Sequence, residues 1–322
     1  MKKILIGAAT ILSLTALTAC SSNANTTNSS STKAKNDYIA AAKKYQVANG
    51  YNKFDTTVKL TKFDMTGAKS SDLPVKVGDQ IELDLTADTK QEVLAFDGAA
   101  NLSNQKYDLT GFMGKTGLFV KTDSIKNILS QNESKIPNGS LYNMLFGSVK
   151  TPYLEMDAKT LDQTMKTEGQ SGSLSATMDK MFDTFKNQNK ADNVISNVSA
   201  DKFTEKDGKV TVKISETGQE ATQYLSKSAT VNQTLIKQFT QNFDIKSITE
   251  TRVFDTQTGL LTSYSTVNMT DKKGSSSDVK AGFDVTVKYD KGNPTVTLPT
   301  AAQTTTFEQL EQNAMSQFTQ EQ

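Results

Sequence analysis

Few side chains in this sequence can do chemistry, and their types narrow the function early. The 322 residues include no histidine and a single cysteine, Cys20. A serine or cysteine nucleophile therefore has no imidazole base to activate it, and zinc, copper or haem has no imidazole ligand. One cysteine forms neither an intramolecular disulfide nor a multi-cysteine metal cluster. The formal net charge is +1, and Arg252 is the only arginine. Neither a surplus of positive charge nor the guanidinium forks that read phosphate and guanine are available, so nucleic acid is not an expected partner. Carboxylates gather as Glu82, Asp84 and Asp88 and as Glu216 and Glu220. Such pairs leave glycoside hydrolysis formally open, but the first group falls on the polar side of an alternating strand, where charges solvate an exposed face. Asp255-Thr256-Gln257-Thr258-Gly259 spaces its oxygens somewhat like a calcium loop. It lacks the closing glutamate of such loops and reads as a hairpin. Gly114-Lys115-Thr116 ends like a phosphate-binding loop, but Leu109 stands where the first glycine belongs.

Two further short matches fail on chain order. Lys115-Thr116-Gly117 matches the third motif of the penicillin-recognising enzymes, and Ser199-x-x-Lys202 and Ser277-x-x-Lys280 match the first. In that family the first motif precedes the third, whereas here both candidates follow it. The earlier Ser30-x-x-Lys33 lies in a polar stretch read as disordered. Chance accounts for these matches. The reading is therefore a protein without catalytic residues, metal or cofactor.

Cys20 carries the most specific signal. Met1-Lys2-Lys3 is a short positive segment, and Ile4 to Leu17 form an apolar run too short to span a bilayer as a helix. Leu17-Thr18-Ala19-Cys20 then resembles the lipobox of bacterial lipoproteins. The resemblance implies cleavage between Ala19 and Cys20 and a diacylglyceryl group on the Cys20 thiol. Two acyl chains hold a protein stably at a membrane, where one alone holds it reversibly. The expected location is extracytoplasmic, lipid-anchored at the outer face of the cell membrane. With Lys2 and Lys3 removed the chain is near neutral, so adhesion to an acidic surface is not its main business.

The elements that must position anything else follow from periodicity. Ser21 to Lys35 is polar and lacks aromatic residues, the composition of a flexible tether spanning on the order of 20 Å as a coil. Beyond it, Phe54-x-Thr56-x-Val58-x-Leu60, Ile81 to Ala87, Tyr107-x-Leu109, Leu118-x-Val120, Val210-x-Val212-x-Ile214 and Val253 within Ser247 to Asp255 alternate as strands do. Val279, Ala281, Phe283, Val285, Val287 and Tyr289 form the clearest one-sided strand. Hairpin chemistry stands at Lys206 to Lys209, Asp255 to Gly259 and Tyr289 to Pro294. Leu174, Met178, Met181, Phe182 and Phe185 make one face of a helix. Tyr224 to Phe243 suggests another long helix or two, Phe307 to Phe318 a last one, and Asp37 to Gln46 and Ser124 to Gln131 shorter ones.

Strand clusters with helices between them predict an α+β fold, a large curved antiparallel sheet in the form of a half-barrel with helices packed on its concave side. The expected organisation is a signal peptide over 1–19, an acylated cysteine and tether over 20–36, and one domain over 37–322. Two halves, roughly 54–190 and 200–320, share an order of elements and hint at an internal repeat. Met178, Met181, Phe182 and Phe185 on the helix and Phe283, Val285, Val287 and Tyr289 on the sheet either pack as core or line a cavity for an acyl chain. With its N-terminal helix, long amphipathic strands and helices over the open side, the pattern resembles LolA, LolB and the LppX/LprG lipoproteins. That resemblance implies a carrier of a lipid-like ligand, over about Asp37 to Pro299. The C-terminal segment after Pro299 has no counterpart there and reads as a lid or a partner contact. A structural or adhesive surface lipoprotein and a solute-binding lipoprotein of an ABC transporter remain the alternatives, the latter disfavoured by clustered strands and the absence of tryptophan.

Overall fold

A computed structural model describes residues 30–66, 76–103, 105–133, 145–167, 173–186, 194–228, 240–272, 278–292, 295–310 and 312. Among the described residues the fold is α+β, with twelve strands in open, mostly antiparallel sheet structure and a few helices set between them. The strands are β1 (Lys53–Met65), β2 (Gln80–Asp88), β3 (Val93–Leu102), β4 (Gln105–Gly114), β5 (Gly117–Lys121), β6 (Tyr153–Asp157), β7 (Phe203–Lys206), β8 (Lys209–Thr217), β9 (Phe243–Asp255), β10 (Leu260–Asp271), β11 (Asp278–Asp290) and β12 (Thr304–Thr306). The longer helices are α1 (Ser30–Lys44), α2 (Thr122–Asn132), α3 (Ala158–Thr167), α4 (Leu174–Lys186) and α5 (Gly218–Ser228). They divide into two compact units, and neither coincides with a sequential half of the chain. The first unit comprises the described parts of Met1–Glu82, Asn101–Asn104 and Asp183–Gly292, the second those of Leu83–Ala100, Gln105–Phe182 and Asn293–Gln322.

In the first unit the strands run β1-β11-β10-β9-β8-β7. β8 to β11 alternate buried and accessible residues over nearly their full length. That is the pattern of a sheet with one apolar and one wet face. Helix α1 forms because Ala34, Tyr38, Ala41 and Ala42 repeat at helical spacing and all are buried. Lys43 and Lys44 sit in its last turn, where cations complement the helix dipole. The Tyr38 ring meets Phe203 and Phe254 edge-on, at centroid distances of 6.0 and 5.3 Å. Tyr45, just beyond α1, donates its hydroxyl to the Gln257 carbonyl at 2.5 Å, tying this segment to the β9–β10 turn.

In the second unit the order is β12-β6-β5-β4-β3-β2. β12 runs parallel to β6, with Thr304 opposite Tyr153. Phe146, Val149, Leu154 and Leu310 form a core against which Ile125, Leu129 and Phe307 pack. Met178 and Phe182 of α4 are fully buried. Asp88 is buried as well, and its carboxylate accepts the N–H groups of Lys90, Gln91 and Val296.

Several sequence expectations need correcting. The stretch read as tether is helical from Ser30, because Ala34 and Tyr38 gain a tertiary surface that composition does not reveal; residues 20–29 lie outside the described residues. Phe243 opens strand β9 instead of closing a helix; helix is described over Gly218–Ser228 and again over 240–242, and Leu235, Ile236 and Phe239 lie outside the described residues. Val253 points away from the buried face, which belongs to Ile248 and Phe254. Among the described residues β11 has no hairpin partner after Tyr289; the next strand, β12, joins β6, and Asn293 and Pro294 lie outside the described residues. The C-terminal segment likewise contributes that strand and the core residue Leu310; Ala314 and Phe318 lie outside the described residues. Asp88, read as a solvated charge, is a buried acceptor that fixes a turn.

Candidate functional site

Among the described residues, the buried face of the first unit holds one pair of opposite charges. β9 alternates Ile248, Glu250, Arg252 and Phe254 toward that face, and all four are buried. Register sets Ser263 of β10 opposite Arg252 and Ser265 opposite Glu250. On the other side Val212 and Ile214 of β8 face the same two residues. The one arginine of the chain is thus 1% exposed in the middle of an apolar sheet face.

Burying two opposite charges is tolerable only when their hydrogen bonds are satisfied. Here Arg252 Nε donates to Glu250 Oε1 at 2.6 Å and Nη2 to Oε2 at 3.2 Å, a two-point contact. Ser263 Oγ donates to Oε1 at 2.6 Å, and Tyr224 of α5 donates its hydroxyl to Oε2 at 2.5 Å. Arg252 Nη2 also donates to the Tyr224 oxygen at 3.0 Å. Burial pushes the Glu250 carboxyl up, but the Arg252 guanidinium and the hydroxyl donors outweigh it and hold the group below its ordinary value. Burial likewise disfavours charged Arg252, and the Glu250 carboxylate reverses that and holds it above its ordinary value. The pair is neutral overall and closed by neutral donors, so it offers no group poised to exchange a proton near pH 7.

Tyr224 also borders a cavity of about 320 Å³. Its walls are the turn from Asn197 to Lys202, the β8 segment from Lys213 to Glu216, and Glu220, Gln223 and Tyr224 of α5. Lysines and glutamates ring an apolar interior to which Val198 and Ile214 contribute. Lys35 of α1 braces the turn by donating to the Val198 carbonyl at 2.7 Å. The Ser199-x-x-Lys202 match therefore borders a cavity, with Ser199 capping a short 3₁₀ turn.

The residues singled out for a hydrophobic cavity divide between the units. Met178, Met181 and Phe182 belong to the second, where Met178 and Phe182 are buried and Met181 half-buried. Phe283, Val285, Val287 and Tyr289 belong to the first and are all buried. Tyr289 meets Phe54 edge-on at 5.8 Å. The Phe185 side chain, Ala19 and Cys20 lie outside what is described. Lys115 sits in the β4–β5 turn between Glu92 and Asp179, which raise its affinity for a proton. Asp255 accepts the N–H groups of Gln257 and Thr258, stabilising its turn. Sequence reading passed over Glu250, Tyr224 and Ser263. Opposite charges two apart at the apolar positions of a strand are a signal that was present.

Compared with known families and with characterised proteins, the chain matches no family model and none of the characterised proteins.

Proposed function

We propose that this is a non-enzymatic lipoprotein, anchored through acylated Cys20 at the outer face of the cell membrane, that binds or carries a lipid-like hydrophobic ligand. The observation that supports the ligand is the apolar face shared by β1 and β11. Val58 and Leu60 stand opposite Val285 and Phe283, and Phe63 opposite Ala281 beyond a register shift, all of them buried. The dense contacts of α1 fall on β7 and β8 and those of α5 on β8 and β9. The proposed acyl chain lies along the face of β1 and β11. In this reading the strands curve as a half-barrel with helices over the concave side, as in LolA, LolB and LppX/LprG. The neutral, hydrogen-bonded Arg252–Glu250 pair stabilises the sheet and performs no chemistry on the ligand.

The test is native mass spectrometry of the full chain purified with and without Cys20→Ser. Retained membrane lipid in both forms is expected, together with fatty-acid labelling of the parent only. A protein that leaves purification free of lipid and takes none up from vesicles of host lipid overturns the carrier reading in favour of a structural or adhesive role. Membrane attachment that survives Cys20→Ser overturns the anchor.

A further inference from the structure

We infer that the apolar side of β2, β3 and β4 in the second unit is a binding trough for one acyl chain of an uncharged, hydroxyl-bearing amphiphile. Register builds its floor. A Cβ on Gly111 would meet Phe96 Cζ at 2.8 Å, and one on Gly114 would meet Val93 Cγ2 at 3.5 Å. In that antiparallel pairing Leu94 faces Met113, Gly98 faces Leu109 and Ala100 faces Tyr107. A four-residue turn joins β2 to β3, so Ala87, Leu85 and Leu83 continue the rows of Leu94, Phe96 and Gly98. The charged side chains Asp84, Asp88, Asp97, Lys106 and Asp108 alternate onto the other side. There Thr110 Oγ1 donates to Asp97 Oδ1 at 2.8 Å.

The floor is closed at one end and open at the other. Ala87 and Leu94 are 1% and 2% exposed, Leu85, Phe96 and Gly98 are half-buried, and Leu109 is 37% exposed. An accessible apolar strip that deepens to a sealed end suits a chain that enters from one side with its methyl end leading. From Leu94 to Ala100 the strip runs about 20 Å, longer than the roughly 15 Å that a chain fills in one leaflet of a membrane core. Helix α2 supplies a wall, since it packs on β4 and β5. Its Ile125 and Leu129 turn to the Leu154 core, while Ile128 stays half-buried.

The groups at the open end select the head. Tyr107 donates its hydroxyl to Gln105 Oε1 at 2.6 Å, and Asn132 Oδ1 of α2 stands 3.3 Å from the same oxygen. The one phenolic proton goes to the nearer partner, so the Tyr107 oxygen and Asn132 Oδ1 are left as acceptors for a ligand hydroxyl. An anionic head is disfavoured. Exposed Glu133 follows Asn132, and Lys126, the one cation of α2, is tied to the Val149 carbonyl at 2.8 Å. Lys106 lies on the opposite side, 3.0 Å from Asp108. The trough belongs to the second unit, so it stands or falls apart from the chain proposed along β1 and β11.

The probe is monomyristoylglycerol, titrated to its solubility limit into the delipidated full chain carrying Cys20→Ser, with stoichiometry read by native mass spectrometry and position by methyl NMR. Saturable binding of one molecule that shifts the methyl signals of Leu83, Leu85 and Leu109 is expected. Leu109→Lys, a change at an accessible position, should weaken that binding about tenfold or more by placing a charge against the chain. Myristate should bind severalfold more weakly than the glyceride. No saturable binding, or affinity unchanged by Leu109→Lys, overturns the trough. Shifts confined to Val58, Leu60 and Val285 overturn it too and leave the carrier proposal standing. Myristate binding as tightly as the glyceride overturns the assignment of the head.

Discussion

Arg252 Nη2 and Glu250 Oε2 both meet the Tyr224 hydroxyl, so three residues on two elements share one buried polar knot. Removing one charge leaves the other buried without compensation. Arg252→Leu should lower the unfolding free energy by about 3–5 kcal/mol, read from urea midpoints. Replacing the pair together, Glu250→Leu with Arg252→Met, should cost much less than the sum of the single changes, because no orphan charge remains. Tyr224→Phe should cost about 1–3 kcal/mol, as two buried partners each lose a bond. The pH dependence follows from Glu250. Its folded carboxyl titrates below the ordinary value, so its contribution is complete above an unfolded pKa of about 4.3 and is lost as pH falls through the lower folded value. Stability should therefore fall on acidification below about pH 4, and Glu250→Gln should flatten that part of the curve while lowering stability at neutral pH.

At the scale of elements, α1 and the β9–β10 turn hold each other. Gly259 has φ 73°, and a Cβ built there would lie 2.7 Å from the Tyr45 ring. Gly259→Ala combines backbone strain with a clash and should destabilise by about 1–3 kcal/mol in thermal or urea unfolding. Ala34 is fully buried, so Ala34→Glu should loosen the start of α1 and raise protease sensitivity near residue 30. Periodicity made β8 to β11 legible, since each presents one dry and one wet face. It served β2 to β4 less well, because their residues are mostly half-buried on both sides and lack a contrast to read. The helical start at Ser30 was invisible for a different reason: Ser30 to Lys33 hold no apolar residue, and only packing against β7 and β8 makes helix worthwhile there.

At the scale of the molecule, the two compact units alternate along the sequence, with the chain passing from one to the other within β2, β3 and α4, between β3 and β4, and after β11. A parse by composition saw a single domain after the tether, since three of those crossings run inside regular elements where composition does not change. Attachment also belongs to this scale. Cys20→Ser should move the protein from the membrane fraction to the soluble one and abolish fatty-acid labelling.

The sequence by itself determined the absence of imidazole chemistry, the single acylation candidate at Cys20 and the one-sided character of the long strands, because each depends on residue type or on neighbours two or four apart. Tertiary structure decided where the lone arginine goes and what neutralises it. Glu250 and Arg252 meet Tyr224 and Ser263 only after β8, α5, β9 and β10 have taken their register.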